Sequence, residues 1–72
     1  EYKDAITHYD KAIKIKADYA YAYNDRASAK KQLSDDAGAI IDYEKAVQLD
    51  PKLFFAFNNF YKLIHLSYLN WL

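Results

Sequence analysis

Apolar and small side chains recur three and four positions apart from the first residues of the chain. Tyr2, Ala5, Ile6, Tyr9, Ala12 and Ile13 fall on one face of a helix, with Lys3, Asp4, Asp10, Lys11 and Lys14 on the other. The next stretch, "YAYAYN" at 19–24, alternates like a strand. Its alanines, its lack of β-branched residues and the polar run "NDRASAKKQ" nevertheless predict a helix over about 19–33, with Asp18 placed to cap it. "SDD" at 34–36 breaks the chain, and Asp35 and Asp36 are capping residues for a third helix. There Ala39, Ile40, Tyr43, Ala46 and Val47 repeat the spacing of the first helix. Asp50-Pro51 punctuates again, since proline is tolerated in a first helical turn but not further in. The last segment, "FFAFNNFYKLIHLSYLNWL" at 54–72, is a fourth helix whose only full charge is Lys62. The pattern is all-α, with breaks near 17–18, 34–36 and 50–52.

A longer period underlies these four helices. Displacing the sequence by 34 residues lays Ala5, Ile6, Tyr9, Lys11 and Ala12 on Ala39, Ile40, Tyr43, Lys45 and Ala46. It lays Ala22 and Asn24 on Ala56 and Asn58, and matches Tyr21 with Phe55 and Tyr23 with Phe57 in kind. A helix-turn-helix unit repeating at this period resembles the tetratricopeptide repeat. Residues 20–53 resemble one complete repeat. Tyr23 stands at the tryptophan-type position and Ala27 at the small one, and Ala39, Tyr43, Ala46 and Pro51 fill the second-helix and closing positions. Residues 1–19 resemble a second helix without its first, and residues 54–72 a first helix without its second. The resemblance therefore implies one α-solenoid unit of four antiparallel helices in the order B-A-B-A.

Departures from the pattern carry expectations of their own. Arg26 and Lys30 stand where the family buries leucine and an aromatic, which predicts fewer apolar contacts for the helix at 19–33. Ala17 replaces a proline, and Tyr61 takes the small position of the last helix. With no initiator methionine, the chain reads as a piece of a longer one.

At about 100° per residue, Asn58, Asn59, Lys62 and His65 gather into one polar stripe on the last helix. Phe54, Phe57, Phe60, Tyr61, Ile64, Tyr68 and Trp71 occupy the broad opposite side. One neighbouring helix covers only part of such an arc. Phe57, Phe60 and Ile64 read as core. Phe60, Tyr61, Ile64, Tyr68, Trp71 and Leu72 read as a self-association interface; one chain's last helix laid on another's first would continue the solenoid head to tail, and two last helices packing about a two-fold axis into a closed dimer is the favoured arrangement. The segment is nearly long enough to span a bilayer, but two asparagines, a lysine and a histidine interrupt it. Attachment flat on a membrane lacks the basic polar face that mode uses.

Charge and chemistry narrow the function further. Ten basic and ten acidic residues cancel, and they cancel again on either side of Asp36, so no electrostatic footprint for nucleic acid exists. There is no cysteine, hence no disulfide, no thiolate ligand for zinc and no mark of a redox compartment. Asp4 and His8 share a helix face without the further ligands a metal needs. Gly38, the sole glycine, makes no phosphate loop, and Ser28, Ser34 and Ser67 lie in no nucleophile motif. No cofactor and no enzymatic activity are expected.

The resemblance implies instead a module that binds a protein or peptide on the inner face of its first helices. That face falls on Tyr21, Asn24, Asp25, Ser28 and Lys31, then Phe55, Asn58, Asn59 and Lys62. It coincides on the last helix with the polar stripe found from periodicity alone. Asparagine amides can hold an extended peptide by its backbone, and Tyr21 and Phe55 offer apolar contact. Some members of the family clamp a C-terminal carboxylate with lysine, asparagine and arginine. Here Asp25, Phe55 and Asn59 stand at the corresponding positions, so the resemblance implies no carboxylate clamp.

Overall fold

The computed structural model describes residues 1–71, leaving aside the side chains of Phe54 and of residues 67–71. Four helices follow one another: α1 (Tyr2–Ile15), α2 (Ala20–Gln32), α3 (Asp36–Leu49) and α4 (Phe54–Trp71). Among the described residues there is no strand. Each helix packs on its neighbours in sequence, α1 on α2, α2 on α3 and α3 on α4.

The breaks have local causes. Leu33 closes α2 and Ser34 enters the left-handed region at φ 64°. The Asp35 N–H then donates to the Lys30 carbonyl and the Ser34 N–H to the Lys31 carbonyl, both at 2.9 Å. These two bonds satisfy the last carbonyls of α2 in the pattern usually closed by glycine. One residue on, the Asp35 carboxylate accepts from the Gly38 N–H at 3.0 Å and caps α3. After α3, the Asp50 carboxylate accepts from the Lys52 N–H at 3.0 Å, a turn that Pro51 pre-sets. The first break is different. Asp18 does not cap α2: the cap is Tyr19, without a side-chain bond, because the chain turns through Tyr19 N–H to the Lys16 carbonyl and leaves Asp18 one residue early.

Small residues make the core. Ala27, Ala39, Ala46 and Ala56 are fully buried, which lets the helix backbones approach closely. Ala20, Ala46, Leu53 and Ala56 form one cluster, where α2 begins and α3 turns into α4. Ala27, Ala39, Tyr43 and Leu63 form the second, with Ile40 and Phe60 against it. On α4 the core-facing residues are thus Ala56, Phe60 and Leu63, spaced four and three apart. Phe57 and Ile64, read from sequence as core, lie one position round the helix and remain 51% and 41% exposed. Among the described residues no helix covers that side of α4. Tyr61, 61% exposed, lies between them on the same row. Helix α1 has no buried residue, since α2 alone covers it.

Candidate functional site

Helices α2 and α4 stand side by side on α3 and share one face. The rings of Tyr21 and Phe55 meet there, 5.6 Å apart and tilted by 37°, each about half exposed. An offset pair of this kind is an apolar platform already in place before anything lands on it. Asp25 and Lys31 on α2, and Asn58 and Lys62 on α4, are exposed further along the same two helices. Three other residues of the expected binding face are less available. Asn24 is buried, its amide donating to the Asp25 carboxylate at 3.3 Å while its oxygen takes a long 3.5 Å contact from the Asn59 amide. Asn59 itself is half-buried. The Ser28 hydroxyl shares a 2.8 Å hydrogen bond with the Tyr43 hydroxyl. Asn24 and Ser28 therefore tie α2 to α4 and α3, which fixes the geometry of the face.

Of the residues read as a self-association surface, Tyr61 and Ile64 are exposed on the outer row of α4, while Phe60 is half-buried against the second core cluster. Tyr61 stacks on His65 one turn later, with ring centres 6.0 Å apart. The side chains of Tyr68 and Trp71, and the whole of Leu72, lie outside the described residues.

Sequence reasoning missed a charged cluster joining α1, α2 and α3. Arg26 donates through Nε and Nη2 to the two carboxylate oxygens of Asp42, at 2.8 and 2.7 Å, and through Nη1 to Asp10 at 2.8 Å. Lys30, one turn further along α2, reaches Asp42 at 2.9 Å. Asp42 is buried, so burial pushes its carboxyl pKa up, but the hydrogen bonds from Arg26 and Lys30 outweigh that and hold it below its usual value. The bond to Asp42 raises the Arg26 pKa well beyond its ordinary value, against burial, with Asp10 adding to it. The guanidinium also lies over the Tyr23 ring at 5.3 Å. Arg26 and Lys30 thus replace apolar contacts by ionic ones. The available signal was a lone carboxylate on the Ala39–Tyr43–Ala46 face of α3, with an i, i+4 pair of cations on the preceding helix.

A second surface feature adjoins the same side of α2, along the turns that carry Asp25 and Ser28. A cleft of about 350 Å³ opens between α1 and α2. Tyr2, Ala5 and Tyr9 line it from α1; Asp25, Ser28, Ala29 and Gln32 line it from α2. Among the described residues no three histidine, aspartate or glutamate side chains gather as metal ligands, and no helix is long and apolar enough to cross a membrane.

Comparison with known proteins agrees with this geometry. A family model described as "TPR repeat" matches residues 1–34, and one described as "Tetratricopeptide repeat" matches residues 20–53. The chain is 42% identical over 45 residues to "Tetratricopeptide repeat protein 36" of Danio rerio, an overlap of 62% of this chain and 24% of that protein. It is 38% identical over 50 residues to "Hsp70-Hsp90 organizing protein" of Triticum aestivum, an overlap of 69% of this chain and 9% of that one. The matched region is thus less than a quarter of either relative.

Proposed function

The chain belongs to the tetratricopeptide repeat family, a family of protein-interaction scaffolds, and from that premise we propose that its α2–α4 face holds a segment of a partner protein. The observation that carries this reading is the Tyr21–Phe55 ring pair, half exposed at the centre of the face. An apolar residue of the partner packs on the two rings. Asn58 serves its backbone amides, and Asp25 at one side and Lys31 and Lys62 at the other fix its direction. The activity is binding, without catalysis and without a cofactor. The wheat relative is named for organising Hsp70 and Hsp90, which raises chaperones as partners. Asp25, Phe55 and Asn59 occupy clamp positions here, so the partner is held through side chains and backbone within the segment and not by a terminal carboxylate. The test is a quantitative pull-down from the source cell with the wild-type chain and with Tyr21→Ala/Phe55→Ala. A partner retained equally by both would sink the assignment of this face.

The exposed row Phe57, Tyr61 and Ile64 favours a second reading, in which the chain also associates with itself. Contiguous exposed apolar surface is the kind that marks protein contact sites.

A further inference from the structure

We propose that the segment held on the α2–α4 face binds through an arginine, whose stem lies on the Tyr21–Phe55 rings and whose guanidinium is received by Asp25 and Asn59. This rests on the reading of that face as the partner-binding surface and names the chemistry the partner brings to it.

The site is framed by contacts that α2 and α4 make with each other. The Tyr21 and Phe55 rings are 5.6 Å apart. One turn along each helix stand Asp25 and Asn59, their Cβ atoms about 5–6 Å from those of the ring residues. Asn24 joins them across the helices. The Asn59 amide donates to the Asn24 oxygen at 3.5 Å, and the Asn24 amide donates to the Asp25 carboxylate at 3.3 Å. Both bonds run the same way, toward Asp25. One donor of each amide is thereby committed inside the row, while the Asp25 carboxylate at its end and the Asn59 oxygen at its start remain as acceptors. Among the described residues no cation serves that carboxylate, since Arg26 is bound to Asp10 and Asp42, and Lys30 to Asp42.

A segment lying on the rings also shades these acceptors one turn away. An aliphatic anchor would leave them without donors in a partly dry contact, which is unfavourable. An anionic anchor would face a like charge. A lysine answers the charge with a compact ammonium, but it has no flat head to lie against a ring. An arginine meets each demand. Its methylene stem is the apolar contact for the rings, its plane stacks on their faces, and its fork of donors grips a carboxylate by two parallel bonds. The positions themselves carry the same sense. Where some members of the family clamp a carboxylate with lysine, asparagine and arginine, Asp25, Phe55 and Asn59 supply a carboxylate, a ring and an amide. The polarity is reversed, from a site for an anion to a site for a cation. Lys62 lies seven positions beyond Phe55, about 10 Å along α4. That is close to the Debye length of about 10 Å at ~0.1 M salt, so Lys62 is screened from a cation on the rings. It suits instead an acidic residue about three extended positions away in the same segment.

Selection from a phage-displayed library of random nonapeptides, on the 72-residue chain and on Tyr21→Ala/Phe55→Ala, supplies the probe. Peptides that need the rings carry arginine. One such peptide is then synthesised with arginine and with citrulline, its neutral isostere, at that place. Each is titrated by fluorescence anisotropy into the wild-type chain and into Asp25→Asn. The arginine peptide binds the wild type about tenfold or more tightly than the citrulline peptide, the scale of a hydrogen bond between charged groups. Asp25→Asn weakens the arginine peptide by that factor and leaves the citrulline peptide unchanged, so the variant binds the two alike. Asp25 is exposed, and asparagine keeps an acceptor for the Asn24 amide, so the fold is retained, which circular dichroism checks. Three results overturn the proposal and leave the α2–α4 face standing: ring-dependent peptides without arginine, wild-type affinities for the two peptides within about twofold, or an equal loss of both in Asp25→Asn. A library that yields no ring-dependent peptide removes the face, and this proposal with it.

Discussion

Neutralising Asp42 is the sharpest test of how these helices hold together. Asp42→Asn keeps the shape of the side chain and removes the charge that Arg26 and Lys30 converge on, at 2.7–2.9 Å. Lys30 then loses its counter-charge and Arg26 keeps only the exposed Asp10, at a site where Asp42 is 2% exposed. Breaking a buried ion pair from one side costs about 3–5 kcal/mol. Small domains hold only about 0.05–0.15 kcal/mol per residue, so the substitution removes a large share of the stability of this chain. At about 4–8 °C per kcal/mol for a domain of this size, the midpoint falls by more than about 12 °C. Asp10 is the control. It bonds the same guanidinium with a side chain 55% exposed, and Asp10→Asn costs at most about 1 kcal/mol.

The same group sets an acid limb. The folded pKa of Asp42 lies below its usual value, near 3.9 when unfolded. Its contribution is therefore present above about pH 4 and is lost as pH falls through the folded value. Arg26, raised from an already high value, contributes throughout that range and adds no limb of its own. Urea unfolding followed by circular dichroism, in dilute solution and from neutral to acid pH, measures both effects. A loss under about 1 kcal/mol for Asp42→Asn, with an acid limb parallel to wild type, would show that the cluster is an ordinary solvated pair.

Three further outcomes rest on particular contacts. Ala27→Leu and Ala46→Leu, at positions with no exposed surface, each cost roughly 1–3 kcal/mol by overpacking; thermal stability unchanged in both would refute the register of the helices. Ser34→Gly stabilises the chain by roughly 1 kcal/mol, because the left-handed φ of 64° strains any residue with a Cβ; a lower midpoint would show that the hydroxyl matters more than the strain. A peptide ending in an acidic C-terminus shows no specific binding by calorimetry, and salt-sensitive micromolar affinity would refute the absence of a clamp.

The fold was legible because helical spacing and the 34-residue period agree in α1 and α3, while the alanines and polar run of α2 outweighed its strand-like start. The small positions Ala27 and Ala46 were legible because a close helix crossing needs a small side chain, and both are fully buried. What escaped was partnership across helices. Arg26 and Lys30 read as lost apolar contacts, because nothing along the chain ties them to Asp42 on the next helix. Asn24 read as a peptide ligand, since position alone does not reveal that Asp25 and Asn59 already engage its amide. On α4 the apolar arc was visible, but which row of it meets α3 depends on the rotation of the helix, and that is set by packing.

That rotation decides the use of the aromatic residues. Their 18% share of the chain would suggest a ring-filled core, yet Tyr43 is the one aromatic buried among those described. Alanines and the Arg26–Asp42 cluster hold the helices together instead, and contacts of those two kinds leave room for few rings between backbones. The rings are displaced to the surface in two groups, Tyr21 with Phe55 on the shared face and Phe57 with Tyr61 on the outer row. Aromatic side chains give more contact area per ordered rotor than any others, which makes them effective binding material. Helix α4 contributes to both groups, and its Asn58 and Lys62 lie between them. A substitution at Asn58 or Lys62 therefore bears on both exposed groups at once.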